Sequence, residues 1–262
     1  MDRVVTSEPY LPPTQKLADR IISYWDRGTA SYEYFLGDHI HFGYVEEGTN
    51  PSHDEATDRL IERLTGFGEL EKGARVLDVG CGLGGTAFLL AERHGARVTG
   101  ANLSTEQIER ARTKAEELGL EDRVDFVYAD AHTLEPWDEG TFDTVWSVES
   151  VEQYHDKRQF LSQAYRVLRP GGRLVMSTWC SSQEEFTGRD AVEYDKFCRT
   201  FDTPYMPTIA AYIRWLGELG FEDVRGEDWS KPINRTWLLP PRRPSLKEFV
   251  GGMLRANRRF LL

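Results

Sequence analysis

The chain has 262 residues, 40% of them hydrophobic and 12% aromatic, with a formal net charge of −11. That content suits the buried core of one α/β domain with insertions and excludes general disorder. The negative charge argues against a protein that follows phosphate backbones, so the expected partner is a small molecule and not nucleic acid.

Residues 1–70 read as mostly helical and carry a dense aromatic set: Tyr24, Trp25, Tyr32, Tyr34, Phe35, Phe42 and Tyr44. A segment ahead of a sheet can fold over the carboxyl ends of its strands, where open α/β sheets bind ligands. A lid is one reading of it; for most of these rings, packing against the sheet edge is the preferred one. His39 and His41 alternate as on one strand face and with Asp38 imitate a metal site. No fourth ligand has helpful spacing, so no metal is expected. Ser52-x-x-Glu55 fits a capping box, in which two side chains satisfy each other's orphan amides.

From 74 to 229, β-branched runs alternate with amphipathic stretches, the pattern of a parallel sheet covered by helices. Strands are expected at 75–79, 97–102, 123–128, 142–147, 172–178 and 221–228. Helices are expected near 86–94, 105–118, 157–168 and 208–219. Ser104-x-x-Gln107 makes a second capping box, and Arg169-Pro-Gly-Gly172 is a helix stop feeding a strand. Beyond Pro-rich 240–244, Ser245-x-x-Glu248 opens a last helix. Leu246, Phe249, Val250, Met253, Leu254, Phe260 and Leu261 fall near one face of it, and Arg255, Arg258 and Arg259 lie toward the other side. It reads as a cover for the substrate pocket; contact with an anionic membrane surface is the lesser reading. The expected organisation is therefore an N-terminal lid segment (1–70), a cofactor-binding core (71–230) and a C-terminal loop and helix (231–262).

Cys81, Cys180 and Cys198 are an odd number without Cys-x-x-Cys spacing, which favours reduced thiols over disulfides or zinc. No apolar run is long enough to span a bilayer, and the first residues lack a secretion signal's apolar stretch. A cytoplasmic protein is expected, with an organelle not excluded.

Gly80, Gly82 and Gly85 follow a strand and precede a helix in the spacing G-x-G-x-x-G, so a dinucleotide site has to be weighed. Asp78, two residues before the first glycine, decides against it. A carboxylate there repels a pyrophosphate but attracts the ammonium and sulfonium of S-adenosylmethionine (SAM). The second strand ends in Asn102-Leu103-Ser104, where a ribose-reading side chain should stand. The third ends in Asp130-Ala131, placed to accept from an adenine amino group and donate to its ring. For Asp130 alone, a turn cap is an equal reading.

With these motifs the chain resembles class I SAM-dependent methyltransferases over 70–230. Gly37-Asp-His-Ile-His-Phe-Gly-Tyr44, Ser147-Val-Glu-Ser-Val-Glu152, Ser177-Thr-Trp-Cys180 and Glu227-Asp-Trp-Ser230 make it similar to the γ-tocopherol C-methyltransferase family. Relatives of that family include alkaloid N-methyltransferases and natural-product O-methyltransferases. The resemblance implies a doubly wound, mostly parallel, Rossmann-like α/β sheet. It also implies a SAM pocket lined by Asp78, Gly80, Cys81, Gly82, Asn102, Leu103, Gln107, Asp130, Ala131 and Ser147, releasing S-adenosylhomocysteine. Gln107 then has two readings, capping-box partner and ribose contact. The family's sheet closes with a last antiparallel strand, and none is found here after 221–228.

Transfer from a sulfonium needs positioning, and a base only where the nucleophile carries a proton. Of the loop after the fourth strand, Glu152 is the first choice for base or substrate orientation. Glu149 serves equally as a structural grip on backbone amides near SAM. His155 ranks third, because Asp156 and Lys157 beside it suggest an exposed helix start. Tyr24 or Tyr44 can offer a ring or hydroxyl to the sulfonium. The expected acceptor is a small, largely apolar aromatic or amphipathic molecule, methylated on carbon, nitrogen or oxygen. Further alternatives are a nicotinamide enzyme, disfavoured by Asp78, a SAM-binding protein without turnover, and cyclopropane-type transfer to a lipid.

Overall fold

The computed structural model describes residues 4–6 and 15–239, with side chains from residue 19 in the second span. Ahead of the main sheet come strand β1 (Val4–Thr6) and helices α1 (Gln15–Leu36) and α2 (His53–Phe67). The core then alternates β2 (Arg75–Val79), α3 (Gly85–His94), β3 (Arg97–Asn102), α4 (Thr105–Leu118), β4 (Val124–Tyr128), β5 (Phe142–Val148), α5 (Lys157–Val167) and β6 (Leu168–Ser177). After it follow β7 (Glu185–Thr187), α6 (Gly188–Thr200), α7 (Ile209–Leu219) and the short α8 (Ser230–Asn234).

The five core strands lie parallel in the order β4-β3-β2-β5-β6. From β2 the chain winds outward to β3 and β4, then returns to start β5 on the other side of β2. The crevice between the carboxyl ends of β2 and β5 is therefore the switch point at which such sheets hold ligands. Alternation along β2 shows how both faces are covered. Val76 joins a core with Leu60, Ile61, Leu90, Ile108 and Trp146, built by α2, α3 and α4. Leu77 and Val79 join the opposite core with Phe160, Leu161, Tyr212 and Trp215 of α5 and α7.

Four expected strands and four expected helices fall where the patterning put them. Ser52 and Glu55 complete their capping box from both sides. The glycine-rich stretch after α5 is drawn into β6 instead of standing outside it, with a register irregularity opposite Phe142 and Thr144.

The expected strand at 221–228 is a correction: that segment is irregular. Asp223 has φ +52, a left-handed conformation that interrupts an extended ladder. Phe221 instead packs edge-on against Tyr165, and Arg225 turns to the Phe67 carbonyl and ring. Among the described residues, β6 is thus the last strand on its side of the sheet.

The small sheet of β1 and β7 was not anticipated, nor was α6. They share a third core of Phe186, Ala191, Tyr194, Phe197, Cys198 and Met206. The last helix expected from sequence, with its capping box and its membrane reading, lies outside the described residues.

Candidate active site at the sheet's switch point

At the end of β2, Asp78 is only 2% exposed, and its Oδ2 has no hydrogen-bond partner. Burial pushes its carboxyl up to about 7, because the charged form has lost water and gained no cation. An unpaired buried carboxylate is costly, and a ligand that brings a cation removes that cost. An ammonium therefore fits this position, and a pyrophosphate does not.

The next residues turn the chain away. Gly80 has φ +79, and its amide donates to the Ala101 carbonyl at 2.8 Å. A Cβ on Gly80 would lie 2.3 Å from Ser150 Cβ, so the loop after β5 closes directly on the glycine. A Cβ on Gly82 would meet nothing within 4 Å, so this side of the loop is open to a ligand. Gly85 is required by a different contact: its Cβ would stand 2.6 Å from the Asp38 carbonyl. That approach seats the segment after α1 on the start of α3.

Asn102 and Gln107 meet side by side at the end of β3. Asn102 Nδ2 donates to Gln107 Oε1 at 2.7 Å, while Asn102 Oδ1 accepts from the amides of Leu103 and Ser104. The second capping box is consequently half formed, which corrects the expectation. Ser104 Oγ accepts from the Gln107 amide, but the Gln107 side chain does not return to Ser104. At the end of β4, Asp130 Oδ1 accepts from the amide and the Nδ1 of His132, both at 2.8 Å, and these bonds hold its carboxyl low. This is the turn-cap geometry, with Ala131 buried beside it. His132 stacks on His155 at 3.9 Å, so His155 is half-buried and its imidazole is pulled down by that burial.

The loop after β5 is the most densely connected part. Ser147 and Ser150 both donate to the Val79 carbonyl, and Ser150 Oγ also bonds Tyr154 Oη at 3.0 Å. Glu149 has φ +47, an uncommon conformation for this residue. Its Oε1 accepts from the Phe42 amide at 3.0 Å and its Oε2 from the Trp179 indole at 3.3 Å. Burial, with Glu152 nearby, lifts the Glu149 carboxyl to about 8. Glu152, 3% exposed, accepts from the Trp179 amide at 2.6 Å through Oε1. Its Oε2 is buried without a bonded partner, and burial raises this carboxyl too. The Thr178 hydroxyl is near enough to favour the charged form without closing a bond.

Trp179 is thus gripped by two carboxylates at its two nitrogens. Its ring lies nearly parallel to Phe42 and meets the edges of Phe197 and Phe201. These rings, with Trp237 against Phe42, wall one end of a cavity of about 1620 Å³ that continues along β6.

The N-terminal helix crosses both walls of the crevice. Trp25 Nε1 donates to Gln153 Oε1 at 2.7 Å, and Ser104 Oγ donates to Asp26 Oδ1 at 2.6 Å. Arg110 of α4 pairs with Glu33 at 2.6 Å. Tyr24 is partly exposed and bonds Tyr32 through its hydroxyl. Tyr44 packs edge-to-face with Trp229, under the Arg63 guanidinium. His39 and His41 bond each other at 3.0 Å, and burial drops His41 to about 3. They are packed, hydrogen-bonded histidines.

One residue reverses its expected place. Lys157, read as part of an exposed helix start, is fully buried. The bond from Trp25 to Gln153 and the roles of Ser150 and Trp179 carry no spacing signal in the sequence, because each acts through the tertiary fold.

A methyltransferase domain model matches residues 77–176. A probable tocopherol O-methyltransferase, chloroplastic, of Oryza sativa subsp. japonica is 35% identical, over 84% of this chain and 64% of that protein. Norajmaline N-methyltransferase of Rauvolfia serpentina is 31% identical, over 77% of this chain and 73% of its own length. The chain belongs to the class I SAM-dependent methyltransferases. The crystal structure of the [4+2]-cyclase SpnF matches this methyltransferase with a TM-score of 0.76 at 27% identity, over 94% of this chain and 83% of that one. The chain spans just under two thirds of the rice protein's length. SAM is the family's cofactor, and the orphan carboxylate of Asp78 beside the open Gly82 fits its amino-acid end.

Proposed function

We propose that this methyltransferase transfers the methyl of SAM to a small, largely apolar aromatic or amphipathic molecule whose nucleophile carries a proton. The carrying observation is Glu152 Oε2, an unbonded carboxylate oxygen buried at the carboxyl end of the sheet beside an aromatic wall. When bound, SAM supplies a methyl on a good leaving group. The chain's own residues then position and deprotonate. Asp78 takes the ammonium, while Gly80, Cys81, Gly82 and Ser147 shape the turn. Asn102 with Leu103 and Gln107 faces the ribose, and Asp130 with Ala131 the base. Glu149 acts as a structural grip holding Phe42 to Trp179, and Glu152 accepts the acceptor's proton. His155 remains the reserve base, and Tyr24 and Tyr44 the rings nearest in role to a sulfonium contact. Residues 1–70 act as the lid, and 231–262 as part of the acceptor's cover.

The acceptor resembles a tocopherol-like phenol. Similarity to the norajmaline enzyme supports an amine as the alternative. Incubation with a panel of phenols, amines and prenylquinols, with mass detection of a methyl gain, tests the class. Gain only on anionic or nucleic acid acceptors sinks the reading. SpnF, named as a cyclase at 27% identity, favours a second reading: a SAM-binding protein that does other work. Failure to label any panel member from radiolabelled SAM would support it.

Glu152→Gln is expected to lower turnover about 10²- to 10⁴-fold, the usual range for a lost general base, with S-adenosylhomocysteine affinity nearly unchanged. Turnover at the wild-type level removes Glu152 as the base. Since burial raises both Glu149 and Glu152, the wild-type rate should climb with pH above the range of an ordinary carboxylate, with apparent values that belong to the pair. The expected compartment is the cytoplasm or an organelle; no described helix is long and apolar enough to cross a membrane.

A further inference from the structure

Lys157 has no place in the roles above, yet it is among the largest side chains that are wholly buried. Lysine is almost never buried without a reason. Here its Nζ donates to the Glu152 carbonyl and to the Tyr154 carbonyl, both at 2.8 Å. It stands 4.3 Å from the centroid of the Tyr205 ring, and the Lys157 amide donates to Tyr205 Oη at 3.3 Å. One cation thus joins the short turn Val151–Gln153, the start of α5 and the segment that follows α6.

We propose that Lys157 is the positioning residue for Glu152: its ammonium clamps the turn that carries this carboxylate and holds the carboxylate ready to accept a proton. The proposal rests on the reading of Glu152 as the base. Three observations support it. The two accepting carbonyls belong to the turn and to the residue that closes it, so the clamp fixes where the Glu152 side chain begins. A cation fixed on carbonyls and an aromatic face needs no ion pair with the carboxylate, so Glu152 Oε2 is left for the acceptor. The charges also act on each other across a dry interior. Burial pulls Lys157 down to about 7, and the Glu152 carboxylate is the leading influence that raises it again. Lys157 in turn lowers Glu152.

Other groups facing the pair act in known directions. Glu149 of the β5 end opposes ionisation of Glu152 through their mutual repulsion. Half-buried Cys180 beyond β6, buried Tyr212 of α7 and half-buried Tyr154 after the turn are neutral groups around it. Asp156 favours the charged lysine, and Cys198 of α6 faces it as a neutral thiol.

The test needs no acceptor. In protein saturated with S-adenosylhomocysteine, the Glu152 carboxyl is followed by NMR with carbon-labelled glutamate and assigned by its loss in E152Q. In Lys157→Met the titration midpoint should rise by roughly half a pH unit or more, the sign for a carboxylate that loses a neighbouring cation. S-adenosylhomocysteine affinity should stay within about threefold of wild type, because the Asp78 site is untouched. A folded K157M protein with an unmoved Glu152 midpoint overturns the proposal. Should K157M not fold, the reciprocal measurement decides: the Lys157 Nζ titration must fall in E152Q relative to wild type, and an unmoved Nζ overturns it equally. The two readings fail separately. Coupled titrations with full turnover in E152Q remove the base but keep the clamp, whereas lost turnover in E152Q with uncoupled titrations does the reverse.

Discussion

Asp78→Asn is expected to weaken SAM binding more than a hundredfold while leaving the ligand-free protein more stable than wild type at pH 8. The two halves have one cause. In the ligand-free protein the Asp78 carboxylate is buried without a partner, and its folded pKa stands near 7 against an ordinary carboxylate value. A carboxyl raised in the folded state binds its proton more tightly folded than unfolded. Its contribution to stability is therefore fully present below the unfolded pKa of about 4 and is lost as pH rises toward 7. At pH 8 that loss is complete, on the order of a few kcal/mol for a shift of about three units. Asparagine removes the titration but buries an amide that lacks partners, which returns about 1–3 kcal/mol of the gain. The net expectation is a small stabilisation at pH 8 and a neutral or unfavourable change at pH 5. On the binding side, a buried cation that loses its carboxylate costs about 3–5 kcal/mol, more than a hundredfold in affinity. Urea melts at the two pH values, with calorimetry against SAM, read both halves. A variant less stable than wild type at pH 8 that still binds SAM tightly contradicts the placement of the ammonium.

Gly80→Ala and Gly82→Ala should separate folding from ligand approach. At Gly80 the new methyl overlaps Ser150 Cβ and Oγ, and the backbone keeps φ +79. Left-handed backbone costs an alanine about 1 kcal/mol, and an overlap in a packed site another 1–3 kcal/mol. Moving Ser150 also breaks its bonds to Val79 and Tyr154. A loss of about 3 kcal/mol and a melting temperature lower by several degrees are expected. Gly82 has φ +55 but open space, so its alanine should cost only about 1 kcal/mol of stability. Its methyl projects where the ligand backbone approaches, so affinity should suffer more than stability. If Gly82→Ala binds S-adenosylhomocysteine as wild type does, the open side of the loop is not the ligand's side.

The central sheet was legible because its strands are buried on both faces. Such strands read as short β-branched runs with glycine or a cap at each end, and β2, β3 and β5 show this plainly. Asp78 stands out in the sequence by its charge two residues before the glycines, whereas its burial and its missing partner come from the fold. Other parts had no local signal. The segment 221–228 has a strand's spacing but turns on Asp223, whose backbone angle depends on the packing of Phe221 and Arg225. The β1–β7 pair joins residues far apart in the chain, and three-residue strands carry no periodicity. Lys157 follows Asp156, the true N-cap of α5. A cap beside a lysine reads as solvent-facing, and only the carbonyls of the preceding turn make it otherwise.

The bonds of α1 to Gln153 on one wall of the crevice and to Ser104 on the other also bear on timing. A helix fastened to both banks of a cleft has to let go of at least one before anything large beneath it can pass. On the lid reading, each round of use then includes an opening step, and its rate follows the bonds of Trp25 and Asp26 and not the reaction itself. Spent cofactor would linger under such a strap, and the pace of the whole cycle would follow departure more than reaction.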